Sequence, residues 1–106
     1  MTITVVNKKA HRGVGIYIGR PSPLGNPFVI GRDGDREAVI LKYESWLIGR
    51  MNLGDQRIWN ALADIKEAHE HGHEVNLICW CAPQACHGDV IKRLVLAHGV
   101  IERRPQ

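Results

Sequence analysis

The residues best suited to chemistry lie in one segment, residues 79–89, which read CWCAPQACHGD. It holds all three cysteines of the chain, and a histidine and an aspartate follow the last of them closely. Thiols and imidazoles act as nucleophiles, as general acids or bases, and as metal ligands. The segment therefore indicates a reactive, anion-binding or metal-binding site, unless its cysteines are only small apolar side chains of a buried strand.

The first hypothesis is an anion-binding or nucleophilic site at the start of a helix. Residues 74–81 are mostly apolar and predict a buried central strand, and residues 88–98 predict a helix. The free N–H groups and the dipole at a helix start attract anions and lower a thiol pKa. We therefore expect Cys86 to be the candidate nucleophile and His87 the acid or base, with Asp89 orienting His87. The backbone amides there would accept negative charge.

The second hypothesis is a zinc site. Three thiols and one imidazole form a Cys₃His set, which is one of the tetrahedral ligand sets that Zn²⁺ prefers. The ligands would be Cys79, Cys81, Cys86 and His87. Their spacing, C-x-C-x₄-C-H, differs from the common cysteine pairs separated by two residues, and Cys86 and His87 are adjacent. This hypothesis predicts a zinc-stabilised module that binds nucleic acid or a host protein.

A second unusual segment is the proline- and glycine-rich loop of residues 20–35. Proline stiffens such a loop, and Gly25 permits a close approach of the backbone. A stiff loop loses little entropy on binding, so we expect Arg20, Ser22 and Asn26 to present fixed polar groups to a ligand. Arg20 suits phosphate, and Asn26 suits a base edge or an amide. The alternative is a rigid connector in which Asn26 bonds its own backbone.

The elements around these two segments predict the fold. In chain order they are strands 2–6 and 15–19, helices 35–48 and 55–69, strand 74–81, helix 88–98 and a last short strand 100–102. We expect Asp35 to be an N-cap, and Gly49 and Gly99 to end helices. This order predicts a single three-layer α/β domain over residues 1–106, with a short, mostly parallel sheet flanked by helices and a disordered tail at residues 103–106.

Both segments leave a predicted strand at its carboxyl end, where ligands of parallel α/β folds gather. We therefore expect the two segments to line one pocket. Trp80 would be either a core residue or a wall on which the ligand stacks. The ligand would be a nucleotide or another phosphorylated small molecule, and its chemical conversion stays an open alternative. The residues expected to bind it are Arg20, Ser22, Gly25, Asn26 and Cys81, beside Cys86 and His87.

Composition limits the remaining possibilities. The chain has 106 residues, of which 44% are hydrophobic and 24% charged, as expected of one globular domain. Its 14 Lys and Arg against 11 Asp and Glu give a net charge of +3, which favours a partner that carries phosphate. No apolar run could span a bilayer and no secretory signal is visible, so we expect a cytoplasmic protein without a membrane partner. The odd number of cysteines excludes a disulfide framework, and the sequence specifies no oligomeric state.

At the same two segments the sequence resembles a known family. YIGRPSPLGNPF, at residues 17–28, and CWCAPQACHGD resemble the LGNP and CWC motifs of the domain of unknown function 4326. Tyr43 and Trp46 in the first predicted helix match as well. That family has no assigned activity, and its members are small proteins of bacteria, archaea and their phages, which implies a nucleotide or nucleic-acid role. Residues 77–89 are also similar to part of the domain of unknown function 488.

Overall fold

Three strands and three helices make up the fold of this computed structural model, which describes residues 2–11, 13–82, 84–98 and 101. The α/β class is confirmed. The elements are β1 (Ile3–Asn7), β2 (Ile16–Tyr17), α1 (Arg36–Asn52), α2 (Gln56–Glu70), β3 (Val75–Cys79) and α3 (His87–Ala97).

The sheet is parallel throughout, with the strand order β1-β3-β2. β1 pairs with β3 from Ile3 opposite Val75 to Asn7 opposite Cys79, and Ile16 of β2 lies opposite Leu77. Because all three strands run the same way, their carboxyl ends lie at one edge of the sheet. The mostly parallel sheet predicted from the sequence is therefore confirmed, and it brings the segments that follow the strands to one edge.

The core lies between one face of the sheet and the helices. Val75, Leu77 and Cys79 alternate along β3 and are buried in it, whereas Asn76 and Ile78 between them are only half-buried. The three helices contact one another, and α2 and α3 also contact the sheet. In the described part of the chain, the three helices thus pack together on the face of the sheet that carries Leu77.

The opposite face of the sheet is crossed by the connection from β1 to β2. Asn76 Nδ2 donates to the carbonyl oxygen of Val14 over 3.4 Å, and a Cβ built on Gly15 would lie 2.7 Å from the carbonyl oxygen of Asn76. Glycine is therefore required where this chain passes over β3. The three-layer expectation is refined accordingly: a short connection, too short for a crossover helix, takes the place of a second helical layer.

The helix ends follow from capping side chains. Asp35 caps α1 as predicted, because its side chain accepts a hydrogen bond from the backbone of Ala38 over 2.9 Å, and Asp55 caps α2. The prediction that Gly49 ends α1 is wrong, because the helix continues to Asn52. Gly54, with a φ of +74°, takes the left-handed turn instead.

The last part of the chain differs from expectation in two places. β3 ends at Cys79 and not at residue 81, because the side chain of Asn7 donates to the carbonyl oxygens of Trp80 and Ala82 over 3.0 and 2.9 Å. α3 begins at His87 and ends at Ala97. The predicted strand 100–102 lies outside the described residues except for Ile101, which is buried, and so do Gly99 and the predicted tail.

No helix in the described ranges has the length and the apolar character that crossing a bilayer requires.

Candidate functional site

A cavity of about 240 Å³ opens at the carboxyl edge of the sheet. It lies between the loop after β2, the first turns of α1 and the segment between β3 and α3. The two segments singled out in the sequence therefore line one cavity. The predicted site residues that line it are Arg20, Asn26, Cys81, Cys86 and His87, and they are joined by Gly19, Phe28, Val29, Ile30, Arg36, Val39, Ile40, Trp80 and Ala85.

Two arginines supply the formal charge of the cavity wall. Arg20 follows β2 and is exposed, and Arg36 is the first residue of α1. Arg36 Nη1 donates to the carbonyl oxygen of Ala85 over 3.1 Å, which ties α1 to the segment before α3. No Asp or Glu is among the described residues that line the cavity. The wall is therefore cationic, and Arg36 is a cavity residue that the sequence analysis missed.

His87 joins the start of α3 to the residue after β2. Its Nε2 lies 2.7 Å from the carbonyl oxygen of Ile18, and because a carbonyl can only accept, Nε2 carries the proton and Nδ1 a lone pair. His87 is only 7% exposed, and its ring meets the ring of Tyr43 edge-on. Burial, aided by the charge of Arg20, lowers the pKa of His87, so the imidazole is neutral at pH 7. A general-acid role would need the protonated ring.

Cys86 is the N-cap residue of α3. Its Sγ accepts a hydrogen bond from the backbone N–H of Gly88 over 3.2 Å and lies 3.4 Å from the Sγ of Cys79. Burial is the main cause that raises the pKa of Cys86, to about 12, and the lowering effect of the Gly88 amide does not offset it. The thiol is 3% exposed and serves as a cap, and its raised pKa disfavours the thiolate that a nucleophile requires, so the role of Cys86 as a nucleophile stays a prediction.

Asp89 completes the cap of α3. Its Oδ2 accepts from the backbone N–H of Cys86 over 3.1 Å, so the two side chains form a reciprocal capping box. His87 Nε2 is bonded to the carbonyl oxygen of Ile18, and the orienting role of Asp89 toward His87 stays a prediction. The capping also changes the electrostatics, since the N–H groups of Cys86 and Gly88 already have partners. Arginine side chains, and not these amides, are left to attract an anion.

Asn26 lines the cavity, but its side chain is engaged within the loop. Its Oδ1 accepts from the backbone N–H of Phe28 over 2.9 Å, and its Nδ2 donates to the carbonyl oxygen of Val39 over 3.3 Å. The first bond is the local turn that the sequence analysis kept as its alternative. The second fastens the loop to α1. Asn26 thus shapes the cavity wall.

Ser22 and Gly25 lie on another side of the same loop, beside a separate depression near Arg50 and Asp55. The backbone N–H of Gly25 donates to the carbonyl oxygen of Ser22 over 2.9 Å. A Cβ at Gly25 would lie 3.0 Å from the backbone of Arg20, so the absence of a side chain lets the loop fold back on that residue. Neither residue lines the cavity, and Gly25 acts on it only by allowing the loop to approach Arg20.

The remaining thiol, Cys81, is half-buried and lines the cavity. All three cysteines are free. Within the described ranges, which include every cysteine and His87, no group of three or more His, Cys, Asp or Glu side chains could hold a metal ion. The zinc hypothesis therefore finds no ligand set among these residues.

Trp80 contributes an aromatic ring to the cavity wall. It is 51% exposed, and its Nε1 donates to the hydroxyl oxygen of Tyr17 over 3.1 Å. The Tyr17 hydroxyl donates in turn to the carbonyl oxygen of Arg20 over 2.8 Å. Lys8 Nζ lies 5.3 Å from the centroid of the Tyr17 ring and 5.9 Å from that of Trp80. Of the two roles that the sequence analysis left open for Trp80, a core position is excluded by this exposure.

Comparison with known proteins agrees with the motifs. The family model named Domain of unknown function (DUF4326) matches residues 5–97. The chain belongs to this family. The match includes every residue that lines the cavity. Neither the comparison with curated proteins nor the comparison with solved structures finds a match.

Proposed function

We propose that the cavity binds a nucleotide or a related phosphorylated small molecule. The observation that carries this proposal is the charge of its wall: Arg20 and Arg36 line it, and no carboxylate is among the described lining residues. Guanidinium groups form bidentate, charge-assisted hydrogen bonds with phosphate oxygens. An anion with several oxygens is therefore the ligand class that such a wall favours.

The apolar part of the wall suits the rest of such a ligand. Phe28, Val39 and Ile40 line the same cavity, so the uncharged part of a phosphorylated molecule next to its phosphate would pack there. His87, neutral at pH 7, adds an uncharged polar ring to this wall. The combination fits a ligand with one charged end and one weakly polar end.

The proposed role is binding and does not use Cys86 as a nucleophile. A nucleophilic cysteine must be a thiolate at working pH, and the buried Cys86 thiol is protonated. Its Sγ is also engaged as the helix cap.

Isothermal titration with adenosine monophosphate and with inorganic phosphate tests the proposal. Each of Arg20→Gln and Arg36→Gln should weaken binding of the nucleotide by roughly 10- to 150-fold, which corresponds to about 1.5–3 kcal/mol for a lost charged hydrogen bond. The matched control is Arg57→Gln, because Arg57 is exposed and does not line this cavity. Absence of binding to both compounds, or an equal effect of all three substitutions, would contradict the proposal.

A further inference from the structure

Trp80 presents a large aromatic surface to solvent at the edge of the cavity. An indole has a large apolar surface, and half of this one is in contact with solvent. Its ring is nevertheless held in place, because Nε1 is bonded to Tyr17 and the backbone carbonyl of Trp80 is bonded to Asn7. A flat aromatic surface is therefore fixed in orientation at the edge of the cavity before any ligand arrives.

The surroundings of Trp80 combine this surface with positive charge. Trp80 follows the central strand, Lys8 follows β1, and Arg20 lies just beyond β2. Lys8 is within cation–π distance of the indole, and Arg20 and Arg36 line the cavity together with it. The three strand ends thus bring one aromatic plane and two cations to one place on the surface, and the start of α1 adds a third cation, Arg36.

We infer that the ligand carries an aromatic base that stacks on Trp80 while its phosphate binds Arg20 and Arg36. This inference rests on the proposed function and narrows it: the ligand is a nucleoside monophosphate unit and not a sugar phosphate or another phosphorylated metabolite without a ring. A cavity of about 240 Å³ is small for a binding site, so it holds one such unit, with the base at its open, Trp80-lined side.

A nucleoside monophosphate unit has two sources, a free nucleotide and the phosphorylated end of an oligonucleotide. Base stacking on an aromatic side chain stabilises both in the same way. Titrations with adenosine monophosphate and with a 5′-phosphorylated tetranucleotide distinguish them: comparable affinity for both indicates an oligonucleotide end, and binding of adenosine monophosphate alone indicates a free nucleotide.

The test compares ligands with and without a base. Wild-type protein should bind adenosine monophosphate at least about tenfold more tightly than ribose 5-phosphate. Trp80→Leu should remove this difference by weakening the nucleotide and leaving ribose 5-phosphate unchanged, and Trp80→Phe should keep most of it. The nucleotide should also quench tryptophan emission in the wild type and in Trp59→Phe, but not in Trp80→Phe.

The outcomes separate the two proposals. Equal affinity of the wild type for the two ligands, or an equal effect of Trp80→Leu on both, overturns stacking but leaves phosphate binding intact. Absence of binding to either ligand and to inorganic phosphate overturns both proposals. Thermal unfolding of the Trp80 variants establishes that they are folded, and Trp80→Phe preserves an aromatic ring if Trp80→Leu does not fold.

Discussion

Cysteine is an uncommon N-cap, and at Cys86 it has replaced the hydroxyl or carboxylate that usually accepts from the first turn of a helix. Its Sγ receives the Gly88 N–H, and Asp89 returns a hydrogen bond to the backbone of Cys86. Two of the backbone N–H groups that the sequence predicted to attract an anion, those of Cys86 and Gly88, thereby have side-chain partners at the helix start itself. The Cys86 thiol, which the sequence singled out for reaction, is thus the N-cap of α3.

Substitutions of Cys86 test this capping role. Cys86→Ser keeps an acceptor at the cap and should retain most of the free energy of unfolding, whereas Cys86→Ala should lower it by about 1 kcal/mol. The measurement is urea denaturation of both variants beside the wild type. Cys79→Ser is the matched control, because Cys79 is equally buried but caps no helix, and it should be more destabilising than Cys86→Ser. A cap role is excluded if Cys86→Ser proves as destabilising as Cys86→Ala.

The sequence predicted which residues line the cavity better than it predicted the environment of each side chain. Arg20 and Cys81 line the cavity as expected. The pKa of Cys86 could not be foreseen, because it depends on burial beside Cys79, and burial follows from packing that one sequence does not specify. Arg36 was missed for a related reason: an arginine in the first turn of a helix is ordinary, and only the folded loop brings it to the cavity.

Among the elements, α3 is tied to β2 through His87, and this link should make stability depend on pH. The imidazole is buried with a lowered pKa, so the unfolded state binds a proton more readily than the folded state. The contribution of His87 to the free energy of unfolding should therefore be fully present above about pH 6.5, the ordinary histidine pKa. The free energy of unfolding should decrease as the pH falls below that value.

Urea denaturation at pH 7.5 and pH 5.5 measures this dependence. His87→Gln, whose amide can still donate to the carbonyl oxygen of Ile18, should show a smaller loss of stability on acidification than the wild type. His71→Gln is the control, because His71 is exposed at the end of α2, and this variant should behave like the wild type. An unchanged pH dependence in His87→Gln would show that other groups cause it.

The strands and helices themselves were largely predictable, because their periodicity is local. Errors occur at element ends, where tertiary bonds decide. The side chain of Asn7, which lies far away in sequence, ends β3 at Cys79, and Gly54, in place of Gly49, takes the turn after α1. The number of layers could not be predicted from local sequence patterns either, because these patterns do not reveal that the connection from β1 to β2 crosses the face of β3 at Gly15.

At the scale of the whole molecule, stability should not depend on a metal ion. The described residues form an apolar core that includes side chains from the sheet and from all three helices, and no metal-ligand cluster is found among them. Incubation with EDTA should leave the thermal unfolding midpoint unchanged, and metal analysis of the purified protein should find no stoichiometric zinc. A chelator-induced decrease in the midpoint would restore the zinc-stabilised module as the better hypothesis.

The convergence of the two unusual segments is the part of the site that topology made predictable. Parallel strands place all their carboxyl ends together, so a loop after β2 and a loop after β3 must be neighbours. Which side chains then point into the cavity was not predictable at this level. Ser22 and Gly25 belong to the right loop but lie on its other side.

The reciprocal cap on α3 has a consequence for how this protein could be re-engineered. Where a helix terminus binds an anion, the preference for negative charge belongs to the backbone and no substitution removes it. Here the backbone N–H groups of Cys86 and Gly88 already have partners, and two guanidinium groups supply the formal charge of the pocket wall. Exchanging Arg20 for glutamate would therefore be expected to make the pocket wall neutral without altering the cap, whereas an exchange of Arg36 would also break its hydrogen bond to the carbonyl oxygen of Ala85.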